Sequence, residues 1–307
     1  MSTKLYQEIQ EFYDASSSLW EGIWGEHMHH GYYGPDGNYK LDRRQAQIDL
    51  IDELLKWSGD MTTNPPQTIL DVGCGIGGSS LYLAKKFDAK VTGITLSPVQ
   101  ANRARERART IGFQEKATFQ VANALDMPFD DNSFDLLWSL ESGEHMPDKA
   151  KFLQECYRVL KPGGKMIFVT WCHRPTTPAN PLNSEERKLL QDIYRVYCLP
   201  YVISLPEYTE IATQCGFKDL QVADWSTAVE PFWDVVIDSA ITPQAIIGLI
   251  QAGRKTIEAA LSLQLMGNGY HSGLIRFGLI AATKQISRVN NHDEVLVIKD
   301  ISTAFNL

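Results

Sequence analysis

Asp71 stands just before a glycine-rich turn, Gly73-Cys74-Gly75-Ile76-Gly77-Gly78, and no other spacing in the chain says as much about chemistry. Glycines remove Cβ atoms where the backbone turns sharply and comes close to a ligand. A carboxylate at that point suits a cationic ligand and repels a pyrophosphate. A second group is Ser139-Leu140-Glu141-Ser142-Gly143-Glu144-His145-Met146-Pro147. His145 is the side chain best matched to proton transfer near neutral pH, and Glu141 is placed to hold an amine or an acceptor group. The plainer readings are a loop-bracing His145 and a structural hydrogen bond at Glu141. A third group is His27, His29 and His30. No Asp or Cys set with ligand spacing accompanies them, so no metal is expected. A lid contact at His29 or His30 stands against an ordinary surface loop.

These groups need elements to position them. Thr68–Val72 predicts a strand, Ser79–Lys86 a helix and Lys90–Thr95 a second strand. Ser97 then caps a helix with Pro98 at its first position, running to about Thr110. Ala117–Val121 and Phe134–Ser139 predict two more strands, and Lys149–Leu160 a helix that stops at Lys161-Pro162-Gly163-Gly164. Strands follow at Lys165–Thr170, Gly216–Ala223 and Leu274–Thr283, with a helix opening at Ser184 and a helical stretch over Ile241–Met266. Such alternation predicts an α/β fold with a mostly parallel central sheet and helices on both faces, ligands sitting at the carboxyl ends of the strands.

The 307 residues are 44% hydrophobic, enough for a large core. A net charge of −8 argues against a nucleic-acid partner. Arg103, Arg105, Arg107 and Arg109 read as a solvated helix face. The five cysteines are dispersed, which predicts free thiols. Neither a signal peptide nor an apolar run of transmembrane length is visible, so a soluble or peripherally membrane-bound chain is expected.

The glycine turn admits three nucleotide readings. A phosphate loop needs a lysine after the glycines, and Ser79-Ser80 follow instead. A nicotinamide-dependent oxidoreductase wants an acid at the end of the second strand, which here ends in Thr95. S-adenosylmethionine (SAM) has no phosphate and carries an amino group and a sulfonium, so it fits Asp71 best. The turn resembles the first motif of class I SAM-dependent methyltransferases, whose core is Rossmann-like. Asn123-Ala124-Leu125, Ser133–Ser139 and Val159–Gly164 resemble that family's later motifs in order. The resemblance implies cofactor contacts from Asp71, Gly73, Cys74, Gly75, Gly77, Thr95, Leu96, Gln100, Asn123, Ala124 and Ser139. Thr95 replaces the family's usual ribose-binding acid and Asn123 its usual Asp near adenine. Gly93-Ile94-Thr95-Leu96-Ser97 is similar to the branch that includes sterol, cyclopropane and tocopherol enzymes.

The flanks carry a finer resemblance. Trp24-Gly25-Glu26-His27-Met28-His29-His30-Gly31-Tyr32-Tyr33, Asp42–Gln47, Ser139–Pro147, Thr170–Arg174, Tyr197–Tyr201 and Ala223–Ser226 resemble the gamma-tocopherol C-methyltransferase family, of cyanobacterial or trimmed plastid form. It implies ring methylation of a lipophilic tocopherol, gamma to alpha and delta to beta, with peripheral contact to photosynthetic membranes and a cytoplasmic or plastid location. It also implies His145 and Glu141 as catalytic groups and Tyr13 and Trp20 as a lid over the cofactor. His30, Tyr33, Glu144, Trp171, Tyr197 and Tyr201 become acceptor contacts. Residues 1–62 are then an aromatic helical lid, 63–172 the SAM-binding core and 173–215 a helical insertion capping the acceptor. Residues 216–285 complete the sheet, and 286–307 form a tail. The alternatives are an N-methyltransferase of an indole alkaloid or small amine, the oxidoreductase, and a SAM-binding protein without catalysis.

Overall fold

A computed structural model describes residues 2–240 and 254–286. It contains a seven-stranded sheet in the order β3-β2-β1-β4-β5-β7-β6. The strands are β1 (Thr68–Val72), β2 (Lys90–Thr95), β3 (Ala117–Val121), β4 (Phe134–Leu140), β5 (Leu160–His173), β6 (Phe217–Asp224) and β7 (Ile275–Lys284). The first five pair in parallel, and β7 runs antiparallel between β5 and β6. Strand residues alternate between two cores. Ile69, Leu136, Trp138, Ile167 and Val169 face one, and Leu70, Val72, Leu137, Met166 and Phe168 the other. Burial on both faces is why β1, β4 and β5 are mainly apolar rather than alternating.

Helices cover both faces. The helices are α1 (Ser2–Trp24), α2 (Arg43–Trp57), α3 (Gly78–Phe87), α4 (Pro98–Thr110), α5 (Lys149–Val159), α6 (Ser184–Val196), α7 (Leu205–Gln214), α8 (Ser226–Val229), α9 (Pro231–Ala240) and α10 (Arg254–His271). On the first face lie Leu50 and Leu54 of α2, Leu83 of α3 and Ala104 of α4; on the second lie Phe152 and Cys156 of α5 and Tyr208 of α7. The Ser97 hydroxyl accepts the Gln100 N–H at 3.0 Å, as its capping position predicts.

Three elements depart from the sequence reading. Lys161-Pro162-Gly163-Gly164 lies within β5, which starts at Leu160. The register against β4 shifts between Phe134 and Leu136, and Gly163 takes φ +80, so a bulge absorbs what looked like a turn. Helix α7 is a second helix in the 173–215 segment, where the sequence marks only one, at Ser184; its start is marked by Glu207, whose carboxylate accepts both the N–H and the hydroxyl of Ser204. The helical stretch expected over Ile241–Met266 is seen as α10 from Arg254 to His271, and residues 241–253 and 287–307 lie outside the described residues.

The arginine run is the fourth departure. Arg103 holds Glu21 of α1 at 2.6 Å, Arg105 donates to the Phe119 carbonyl at 2.9 Å, and Arg107 donates to the Ile76 carbonyl at 2.9 Å. The face of α4 is thus solvated only in part: Arg103 and Arg109 are exposed, Arg103 meeting α1, whereas Arg105 and Arg107 are half-buried.

Candidate active site

The sheet order reverses between β1 and β4, and a crevice opens at the carboxyl ends of the strands there. It encloses about 990 Å³ of space free of protein atoms, its mouth included, which lies in the range of small-molecule sites. The glycine turn forms its floor. Gly73 has φ +84, and a Cβ on it would come within 2.2 Å of the Ser142 side chain. Gly73 and Cys74 both donate their N–H to the Ile94 carbonyl, which ties the turn to the tip of β2. A Cβ on Gly75 would meet nothing nearer than Met28 Sδ at 3.7 Å. Gly77 lies outside the lining and caps α3 with φ +84. Asp71 is buried at the tip of β1 and accepts the Ser80 hydroxyl at 2.5 Å. Burial pushes its carboxyl up to about 7, against the lowering effect of Ser80.

Thr95, Leu96, Gln100, Asn123 and Ala124 line the next wall. Thr95 donates its hydroxyl to Gln100 Oε1 at 2.8 Å and accepts the Ser97 N–H at 3.2 Å. Asn123 Oδ1 accepts the Leu125 N–H at 2.9 Å, which shapes the loop after β3.

The loop after β4 supplies Leu140, Glu141, Ser142, His145 and Met146. Glu141 takes φ +55, a strained conformation for a side-chain-bearing residue. Its carboxylate accepts the His30 N–H and His30 Nδ1, each at 2.7 Å, and Trp171 Nε1–H at 3.0 Å. Burial pushes Glu141 up, but the histidines His30 and His29 and these bonds outweigh it and hold it below the ordinary carboxylate range. Ser139 is fully buried behind the cavity and shares a 2.7 Å hydrogen bond with Ser142.

Glu144 also lies behind the cavity wall. It accepts the Thr170 hydroxyl at 2.8 Å, and burial, reinforced by the charge of Glu141, pushes it up to about 8. The neighbouring Lys149 is pulled by burial down to about 7 and donates to the carbonyls of Gly143 and Glu144. These two groups brace the loop from behind.

Helix α1 roofs the cavity with Tyr6, Ile9 and Tyr13. The Tyr13 hydroxyl pairs with His145 Nε2 at 2.6 Å. Burial, with Glu144 and Glu141 nearby, raises the Tyr13 hydroxyl well above its ordinary value. Burial, with Lys149 nearby, lowers His145 to about 3, so its imidazole is neutral. Trp20 is on α1, and its side chain lies outside the described residues.

Met28 and His29 enter the lining from the loop after α1. Gln47 of α2 pins this loop by donating to the His27 and His29 carbonyls at 2.6 and 2.8 Å. His30 lies deeper, its ring among Phe232, Trp233, Tyr270 and Phe277. Tyr33 is in the core and Tyr197 packs on Trp171 with centroids 5.5 Å apart. Tyr201 is half-exposed beside the loop, its hydroxyl donating to the Pro147 carbonyl at 3.2 Å. The structure therefore brings Asp71, Gly73, Cys74, Gly75, Thr95, Leu96, Gln100, Asn123, Ala124, Glu141, His145 and Tyr13 to one cavity, without Gly77. It places His30, Glu144, Trp171 and Tyr197 behind the wall. Tyr6, Ile9, Met28, His29 and Ser142 are also in the lining. Of these only His29 carried a chemical signal, its place in the histidine cluster; the apolar ones are indistinguishable from core in sequence.

The lining holds the carboxylates Glu26, Asp71 and Glu141 and neither lysine nor arginine. A pyrophosphate cofactor would meet uncompensated negative charge there, whereas an ammonium and a sulfonium find partners. SAM fits the residues present.

Comparison with known proteins agrees. A family described as a methyltransferase domain matches residues 70–168. Tocopherol O-methyltransferase of Arabidopsis thaliana, described as chloroplastic, is 47% identical over 92% of this chain and 83% of that protein. Norajmaline N-methyltransferase of Rauvolfia serpentina is 33% identical over 91% of this chain and 98% of its own length. A putative sarcosine dimethylglycine methyltransferase from Galdieria sulphuraria has the same fold, with a TM-score of 0.74 and 25% identity, covering 89% of this chain and 99% of that one.

Proposed function

The chain belongs to the tocopherol O-methyltransferase family of SAM-dependent methyltransferases, and on that premise we propose that it methylates a ring carbon of a tocopherol chromanol. The conversions are gamma- to alpha-tocopherol and delta- to beta-tocopherol. The observation that carries the cofactor half is the glycine-floored cavity with carboxylates and no cationic side chain. The acceptor half rests on identity along nearly the whole chain, higher to the tocopherol enzyme than to the alkaloid one.

When bound, SAM supplies a methyl group on a sulfonium. The chain's residues then divide the remaining work. Asp71 pairs with the amino group, and the open backbone at Gly75 lets the methionine part approach, while Gly73 packs the turn against Ser142. Thr95, Leu96 and Gln100 take the ribose edge, and Asn123 and Ala124 the adenine. Cys74 and Ile76 complete the apolar wall. Tyr13, held by His145, closes over the reacting centre and offers a ring face to positive charge. Glu141, fixed by His30 and Trp171, keeps a negative charge beside that centre. The roof excludes water and aligns the in-line displacement. Tyr201 marks the side from which a lipophilic acceptor enters, by peripheral contact with a photosynthetic membrane. No helix among the described residues is long and apolar enough to cross one.

The test is incubation with methyl-labelled SAM and, separately, gamma-tocopherol and an indole alkaloid amine, with products identified by mass spectrometry. Alpha-tocopherol is expected. A methyl ether of gamma-tocopherol, or methylation of the amine alone, overturns the reading.

A further inference from the structure

We propose that His29 is the group that takes the proton from the acceptor hydroxyl, an assignment that rests on the phenolic acceptor proposed above. Three histidines surround the reacting region, and geometry separates them. His145 also lines the cavity, but its Nε2 is engaged by the Tyr13 hydroxyl at 2.6 Å and the Cys198 backbone lies against its ring. His30 Nδ1 is engaged by Glu141, and its ring is packed among aromatic side chains behind the wall. His29 is 4% exposed, lines the cavity, and has no hydrogen-bond partner at Nε2 among the described residues.

Its tautomer follows from its other nitrogen. Nδ1 lies 2.8 Å from the His30 carbonyl, and a carbonyl only accepts. Nδ1 therefore carries the proton, and Nε2 of the neutral ring presents a lone pair. The backbone that sets this arrangement is fixed independently, because Gln47 Nε2 donates to the His29 carbonyl. The groups facing the imidazole are the Glu141 carboxylate, His30 and the His27 ring, whose centroid is 5.2 Å away. Burial lowers His29, which keeps it unprotonated before the acceptor binds, and Glu141 acts in the opposite direction.

The step balances in atoms and charge. His29 Nε2 takes the hydroxyl proton while the ring carbon–methyl bond forms and the sulfur–methyl bond breaks. The positive charge thus passes from sulfur to the imidazolium, both beside Glu141. The neutral dienone then loses its ring proton to water, and the restored phenolate retakes the proton from His29. One proton is released per methyl transferred.

Two measurements test this. The first is the 15N spectrum of histidine-labelled protein bound to S-adenosylhomocysteine, which reads the tautomer without turnover. His29 is expected as the Nδ1–H form; the Nε2–H form overturns the assignment. The second is His29→Asn, whose amide can keep the bond to the His30 carbonyl but lacks Nε2. It should bind S-adenosylhomocysteine as the wild type does and lose about 100-fold or more in kcat on gamma-tocopherol. Most of that loss should return on a fluorinated chromanol whose hydroxyl ionises more readily. Equal loss on both phenols, or loss of S-adenosylhomocysteine binding, makes His29 structural and overturns the assignment. Normal turnover by His29→Asn sinks the assignment alone. A wild type that binds S-adenosylhomocysteine but methylates neither phenol sinks the acceptor reading, and this assignment with it.

Discussion

Asp71 is a buried carboxylate with one hydroxyl partner, and burial holds its proton on to about pH 7. A bound cation stabilises only the ionised form, so binding SAM below pH 7 must expel a proton. Affinity for SAM should therefore rise by up to tenfold per pH unit between about 5 and 7 and level off above. Calorimetry in buffers of different ionisation heat measures both the affinity and the proton released; a flat profile would remove Asp71 from the cation's company. Stability has the opposite slope. The unfolded chain loses this proton near pH 4, the folded chain only near 7, so this group's contribution falls as pH rises between them. Asp71→Ala should cost about 100-fold in SAM affinity without loss of fold, since it removes a charge-assisted contact of the strong kind. The residue-level site was partly legible because Asp71, Glu141 and His145 carry chemistry that few core positions need. His29 was legible only as a lid candidate and Met28 not at all, since their place in the lining depends on Gln47, twenty residues or so away, anchoring a loop that has no local signature.

At the scale of elements, the parallel core was legible because each strand is an apolar run bounded by turn residues, and Ser97-Pro98 is a local helix start. The start of β5 was not, because Pro162 and Gly163 read as a turn and only the pairing with β4 turns them into a bulge. Arg103 and Arg109 of α4 are exposed as the run suggests, but Arg105 and Arg107 are half-buried, for the same reason. Charge at helical spacing looks solvated until another element supplies its partners. Here the partners are Glu21 on α1 and the Ile76 and Phe119 carbonyls. Arg103 and Glu21 are both partly exposed, so the pair is worth no more than about 1 kcal/mol to global stability. Its effect should be local. Arg103→Ala is expected to leave the melting temperature within a few degrees while amide exchange in α1 accelerates and the KM for SAM rises severalfold. Unchanged exchange in α1 would show that the Tyr13–His145 and Asp14–Ser97 contacts hold the roof by themselves.

The whole molecule carries a formal charge of −8 at pH 7. On the membrane docking proposed above, the acceptor comes from a lipid surface, and the half-exposed Tyr201 lies next to Pro147 and the cavity-lining Met146. An anionic bilayer repels such a protein over roughly a Debye length, about 10 Å at 0.1 M salt. Apolar contact through the cavity's mouth is short-ranged and gains nothing from lipid charge. Initial rates on gamma-tocopherol should therefore be higher in zwitterionic or galactolipid vesicles than in anionic vesicles of the same tocopherol content. Raising the salt concentration should close most of the gap by accelerating the anionic case. A preference for anionic vesicles that salt abolishes would mean that a local basic patch, and not the net charge, governs docking.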